Sequence, residues 1–217
     1  MLLDNDTIVS TDFIEKLYLT VNTYPDFSVF ALNILTPEGR RQKDYLPNEI
    51  SKPIAWHNFI GGGVAFLTSD YLEIGGYDPK YFVYINETEL AARMLLSGKK
   101  ILYCPQIKIT HKTSASARLI NLNYFYYLRN SIFFMKSYFE LYKRIDLILG
   151  LLIINMKFSI KGSQFFTYLK SIISGFKNNP SYKPKRKLNE GLAENFANSW
   201  QGNPALTQIL KNKLWGK

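Results

Sequence analysis

The sequence predicts an α/β domain followed by a helical, basic extension, and three observations carry that expectation. Apolar runs of strand length alternate with segments of helical spacing over residues 1–118. A long aromatic pattern of helical character then begins near Asn121. Charge is also split: residues 1–156 hold 16 Lys and Arg against 15 Asp and Glu, whereas residues 157–217 hold 11 against 2.

The elements follow in order. Leu2-Leu3 is a short apolar run that ends in Asp4-Asn5-Asp6-Thr7, and Ser10-Thr11-Asp12 is placed to cap a helix over about 13–22. Val29 to Ile34 reads as a strand, and Thr36-Pro37-Glu38-Gly39-Arg40 reads as a turn from its Pro and Gly. Residues 40–56 are polar, interrupted by proline and without a period, which predicts a long surface loop. Gly61-Gly62-Gly63 leads into a strand over 64–67. Ser69-Asp70 is expected to cap a short helix that stops at Gly75-Gly76, before a turn at Tyr77-Asp78-Pro79.

Residues 87–97 have helical spacing, with Leu90 and Met94 inward and Gly98 as the stop. Two short strands are expected around Pro105, over 100–103 and 107–110, and an aromatic helix over 121–142. Residues 178–190 read as a Pro- and Lys-rich linker, and the chain to Lys217 as loosely ordered. The expected division is therefore an α/β domain over 1–118, an amphipathic helical extension over 119–177, and a basic linker and tail over 178–217.

Composition narrows the functional classes. Apolar residues make up 47% of the 217, which excludes a disordered tail and allows one good core with an appendage. The single cysteine, Cys104, excludes an internal disulfide and fits a reducing, cytosolic compartment. Residues 1–7 carry two aspartates and no basic segment, so no secretory leader is expected. The basic extension suits an anionic membrane surface or nucleic acid. Nucleic acid ranks last, because the tail lacks a recognisable docking motif. Leu147 to Met156 is too short to span a bilayer, which takes about 20 apolar residues. Lys157, Lys161 and Lys170 stand among Phe158, Phe165, Phe166 and Tyr168, a mixture expected of a helix lying in a membrane interface. An ordinary amphipathic helix packed on the core is the competing reading.

Chemistry centres on a few positions. In a strand alternate side chains share a face, so Asp4 and Asp6 would point the same way where a strand opens into a loop. Two hard oxygen ligands suit Mg²⁺ or Mn²⁺, which neutralises phosphate charge. A capped turn is the structural alternative. Glu87 and Glu89 read equally as acids of a first helical turn, and Arg93, four residues after Glu89, as an ion-pair partner or a substrate contact. Gly61 to Gly63 permits a tight bend or the close approach of a ligand. Trp56 and His57 offer rings on which an acceptor sugar would stack, and a lone His111 is structural by default. The stripe over Tyr124 to Phe134 reads as core.

Taken in order, these motifs resemble the second half of the family 2 glycosyltransferases, inverting enzymes of GT-A fold, and in particular their rhamnosyltransferase-like members. The residues concerned are Asp4-x-Asp6, then Ile74-Gly75-Gly76-Tyr77-Asp78, then Asn86-Glu87-Thr88-Glu89-Leu90-x-x-Arg93, then Ser97-Gly98 and His111. The match covers roughly residues 1–135 and implies a partial GT-A, Rossmann-like domain. It implies that Asp4 and Asp6 bind the cation and the donor diphosphate, with His111 completing the metal site. It assigns Glu87 as general base, one methylene longer than the family's Asp. Asn86 replaces the usual Glu before it and Glu89 the usual second Asp. With Trp56, Gly61, Gly62 and Arg93, these two are the expected substrate contacts.

The implied reaction is metal-dependent transfer from a nucleoside diphosphate sugar to a glycan or lipid-linked glycan in cell-surface polysaccharide synthesis. Its expected setting is peripheral, at the inner face of the cell membrane. In the family the donor's base and ribose are held upstream of Asp-x-Asp, where this sequence has Met1 to Leu3. That predicts the acceptor-side half of a truncated or split enzyme, weak alone and completed in trans or by a homo-oligomer. Its sheet would lack its central strands and leave an apolar face uncovered. The alternative expectation is a non-catalytic membrane- or partner-binding scaffold.

Overall fold

The structure is a computed structural model and describes residues 1–41, 50–112, 120–199 and 204–215. Its elements are β1 (Leu2–Leu3), β2 (Thr7–Val9), α1 (Phe13–Thr23), β3 (Val29–Leu35), β4 (Ile54–Trp56), β5 (Gly63–Phe66), α2 (Thr68–Ile74), α3 (Asn86–Leu96) and β6 (Ile101–His111). Five further helices follow: α4 (Ile120–Tyr138), α5 (Leu141–Lys161), α6 (Phe165–Lys177), α7 (Glu190–Ser199) and α8 (Leu206–Trp215). The chain divides into two compact units, Met1–Tyr77 with Leu90–Ser116, and Asp78–Glu89 with Ala117–Lys217. The fold is α/β, as the sequence predicts.

In the first unit the strands form one mixed sheet in the order β1-β5-β3-β6-β2, with β4 also paired to β6. Among the described residues only β3 and β6 run parallel; the other pairs are antiparallel. An apolar run with no alternation suits a strand covered on both faces, and β3 is buried from Val29 to Ile34. The expectation of a sheet without central strands is therefore corrected: β3 and β6 are central and covered. Phe13 of α1 joins Phe30, Leu32, Ile34, Leu102, Ile107 and Ile109 in one buried apolar cluster. Burial also pushes the Cys104 thiol up to about 12.

Three local expectations change. The two strands around Pro105 are one strand of 11 residues. Its free edge pairs with β4 at Ile101 to Tyr103 and with β2 at Ile109 to His111, and Pro105 falls between the two. Proline donates no hydrogen bond to a ladder, so an unpaired stretch is where it belongs. On the other edge the register with β3 shifts between Leu32 and Asn33, and Asn33 Nδ2 closes the irregularity by donating to the Pro105 carbonyl at 3.1 Å. Second, part of the expected 40–56 loop is strand β4, while residues 42–49 lie outside the described residues. Third, Ser69-Asp70 is not the cap of α2, because Leu67 holds that position. Asp70 lies inside the first turn and pairs with Lys99 at 2.8 Å. The expected stops hold: Gly75 and Gly98 have φ of 84° and 83°.

The second unit is helical. The helix expected over 121–142 ends at Tyr138, and α5 begins at Leu141 after Phe139-Glu140. Phe134 stacks on Tyr138 at 4.7 Å and meets Phe139 at 5.9 Å and Phe196 of α7 at 5.6 Å. The chain expected to be loosely ordered thus contributes a fully buried aromatic residue and forms α7 and α8. The segment over 178–190 is fastened as well. Ser181 and Tyr182 backbone N–H groups donate to buried Asp78, and the Leu188 N–H donates to the Tyr138 carbonyl at 2.9 Å.

Candidate functional site

Parallel strands expose their carboxyl ends to one edge, the usual place for a ligand in an α/β sheet. The ends of β3 and β6 lie there together with the start of antiparallel β5. Leu3, the last residue of β1, pairs with Gly63 at that start, and Thr7, the first of β2, pairs with His111 at the end of β6. The three residues between the two short strands, Asp4 to Asp6, are consequently drawn across this edge.

Asp4-Asn5-Asp6-Thr7 is a turn, closed by the Thr7 N–H donating to the Asp4 carbonyl at 3.1 Å and by Thr7 Oγ1 donating to the same oxygen at 2.8 Å. The strand-face argument for the two aspartates is thus replaced by a turn that folds both carboxylates toward one point. His111 supplies the third group. Its Nε2 lies 3.1 Å from Asp6 Oδ1 and 3.6 Å from Asp4 Oδ2, and the Lys112 N–H donates to the Asp6 carbonyl at 2.8 Å. Ligand atoms of all three residues lie within 4.8 Å of one another. Burial is graded across the group, from 13% side-chain exposure at His111 through 34% at Asp6 to 52% at Asp4.

This donor set fits a small divalent cation. Ligands at 2.0–2.1 Å from an octahedral ion sit about 3 Å apart when adjacent, close to the His111–Asp6 spacing. Two carboxylate oxygens and one imidazole suit Mn²⁺ or Mg²⁺, and the exposed Asp4 side leaves room for oxygens of water or of a diphosphate. Gly62 makes the approach feasible. A Cβ there would collide with the Asp4 carboxylate, so the glycine leaves the space that carboxylate fills. Gly61 is half-buried in the turn before β5.

The other expected site residues are placed as follows. Trp56 ends edge strand β4, and its ring lies tilted at 43° to that of His57 with the centroids 4.5 Å apart. His57 itself is buried, and that burial holds its pKa down at about 4. Arg93 donates from Nη1 to the Ile74 carbonyl at 2.7 Å and from Nη2 to the Gly76 carbonyl, fastening the Gly75-Gly76 turn. In the second unit, Asn86 and Glu87 open α3 half-buried, whereas Glu89 is fully buried and accepts from Tyr138 Oη at 2.6 Å.

Sequence reasoning missed Asn130 and Arg129. The segment that leads into Asn86 and Glu87 contains three non-glycine residues of positive φ: Phe82 at 60°, Tyr84 at 62° and Ile85 at 62°. For a β-branched residue such as Ile85 that conformation is an outlier. Fully buried Asn130 holds it, its Nδ2 donating to the carbonyls of Tyr81, Val83 and Tyr84 at 2.7, 2.7 and 2.9 Å. Arg129 Nη2 donates to the Lys80 carbonyl at 2.6 Å. Only a polar pair, Arg129-Asn130, within the apolar stripe at 124–134 hinted at this in the sequence.

No protein-family model matches the chain, and no curated protein matches it. Among solved structures it is similar to GalNAc-T7 crystallised with UDP, GalNAc and Mn²⁺, at 14% identity and a TM-score of 0.49. The similarity covers 86% of this chain and 42% of that one, so the chain spans less than half of that protein's length.

Proposed function

We propose that the chain carries the cation and diphosphate site of a glycosyltransferase acting on a nucleoside diphosphate sugar. The observation that carries the reading is the convergence of Asp4, Asp6 and His111 at the carboxyl ends of β3 and β6. The order of the remaining motifs, described above, supports it. Asp6 and His111 would hold the cation most directly, with Asp4 on the open side toward the diphosphate. A bound divalent cation offsets charge that develops on a departing diphosphate oxygen.

Within this proposal Glu87 is the general base. It takes the proton from the acceptor hydroxyl while that oxygen bonds to the anomeric carbon and the bond to the diphosphate breaks, inverting the centre. Such a carboxylate contributes on the order of a hundredfold to ten-thousandfold. Its place in the first turn of α3, where the helix dipole favours negative charge, supports the role. Glu89 and Arg93 act as positioning residues, since one is bonded to Tyr138 and the other holds the turn at Gly76. A glycan or lipid-linked glycan acceptor, the inverting course and a polysaccharide setting are parts of this proposal.

Calorimetric titration with Mn²⁺ and then UDP or dTDP tests it. Mn²⁺ binding is expected to weaken at least about tenfold in Asp6→Ala, and nucleotide binding is expected to require the metal. Nucleotide binding that persists in chelator, or in Asp6→Ala, would overturn the assignment. Glu87→Gln is expected to retain Mn²⁺ binding and to lose about a hundredfold or more of any transfer rate.

A further inference from the structure

The last two turns of α5 and most of α6, both in the second unit, are built inside out, although α5 buries Leu147, Ile148 and Leu151 earlier and α6 buries Tyr168. A helix on a water-facing surface buries its apolar stripe and exposes its polar one. In α6 the buried positions include Ser171 and Gly175, at 0% exposure for the serine. The Ser171 hydroxyl is satisfied by donating to the Thr167 carbonyl at 2.6 Å. Gly175 lets α6 close on α4: a Cβ there would lie 2.9 Å from Ile132 Cβ. The large apolar residues point the other way. Phe166, Leu169, Ile173 and Phe176 recur at helical spacing and are all exposed, Phe166 at 79% and Ile173 at 63%. The last two turns of α5 repeat the pattern, with Asn155 and Ser159 buried and Phe158 and Ile160 exposed. Asn155 Nδ2 donates to the Leu151 carbonyl, so the buried polar group is satisfied inside the helix.

An apolar surface of this extent requires cover, and its surroundings indicate which. Lys157, Lys161, Lys170 and Lys177 stand exposed among these residues, and no carboxylate pairs with them among the described residues. Residues 157–217 carry 11 basic against 2 acidic groups. A second copy of the same face would set like charges against each other, whereas an anionic bilayer supplies hydrocarbon for the rings and phosphate for the ammonium groups together. Among the described residues no helix is long and apolar enough to cross a membrane, so the helices would lie in the interface.

We infer that α5 and α6 dock the protein on an anionic phospholipid surface, with Phe166, Ile173 and Phe158 inserted at the acyl boundary and the lysines on headgroup phosphates. This deepens the reading of a lipid-linked acceptor but does not depend on the metal site, and lipid binding reads it without any assay of transfer.

The test is co-sedimentation of the full chain with vesicles of phosphatidylcholine alone or with 30 mol % phosphatidylglycerol, an amount on the scale of anionic leaflets. Binding is expected only to the anionic vesicles and is expected to weaken with salt. The pair Phe166→Gln with Ile173→Gln, both at exposed positions, is expected to lose at least about tenfold in affinity. Lys170→Gln with Lys177→Gln is expected to lose about fivefold per lysine. Equal binding to both vesicle types would overturn the inference, as would undiminished binding of the Phe166/Ile173 variant. So would a self-associated chain that this variant converts to monomer and that does not bind vesicles, because the face then belongs to a second copy.

Discussion

At the scale of single residues, the metal site depends on an absent side chain as much as on the three present. Gly62 does not take a φ that requires glycine; what it supplies is space for the Asp4 carboxylate. That carboxylate is the mobile end of a half-exposed side chain, so it can swing aside from a new methyl group at little cost to the fold. Gly62→Ala is therefore expected to shift stability by less than about 1 kcal/mol while weakening Mn²⁺ binding severalfold. Thermal unfolding beside calorimetric titration checks both halves. A large loss of stability with unchanged Mn²⁺ affinity would show that the glycine serves the strand entry alone.

At the scale of elements, the segment over Tyr81 to Ile85 is bent by one helix and presents another. Three positive φ values outside glycine cost of order 1–3 kcal/mol each, and they persist because Asn130 of α4 binds the carbonyls of Tyr81, Val83 and Tyr84 in this turn. Asn130→Ala would take the side-chain donor from the Val83 and Tyr84 carbonyls, while the Tyr81 carbonyl keeps the Val83 N–H. The expected loss is about 2–3 kcal/mol in urea-induced unfolding, with relaxation of the chain that leads into Glu87. If Glu87 is the base, any transfer rate falls with it while Mn²⁺ affinity stays. Unchanged stability would mean that the backbone is content without the clamp.

At the scale of the whole molecule, stability should carry the signature of a buried neutral histidine. His57 titrates at about 4 in the folded chain because burial disfavours its charged form, against 6.5 when unfolded. Between those values the unfolded chain binds more protons, so stability rises with pH. The contribution is complete above about 6.5, falls as pH drops through the window and is gone near 4; its ceiling is about 3 kcal/mol. His57→Phe is expected to flatten the pH dependence of unfolding in that window relative to the parent chain. An unaltered slope would place the titration elsewhere.

Periodicity and punctuation were sufficient for the elements whose cause is local. The buried strand at Val29, the turn through Gly39 and the helix that stops before Gly98 depend on neighbours a few residues away, so the sequence displays them directly. Its motif order also singled out Asp4, Asp6 and His111 together. What it could not display is a consequence of distance along the chain. That Asp4 and Asp6 meet His111 through a turn is decided by two short strands pairing with β5 and β6 at the same end of the sheet. The clamp at Asn130 acts across 46 to 49 residues, and the core position of Phe196 needs α4 already in place. The sequence likewise determined that α5 and α6 are amphipathic and basic, but which stripe turns inward was decided only by packing: Gly175 and Ser171 allow α6 to approach α4 closely, and that contact leaves the apolar stripe facing outward.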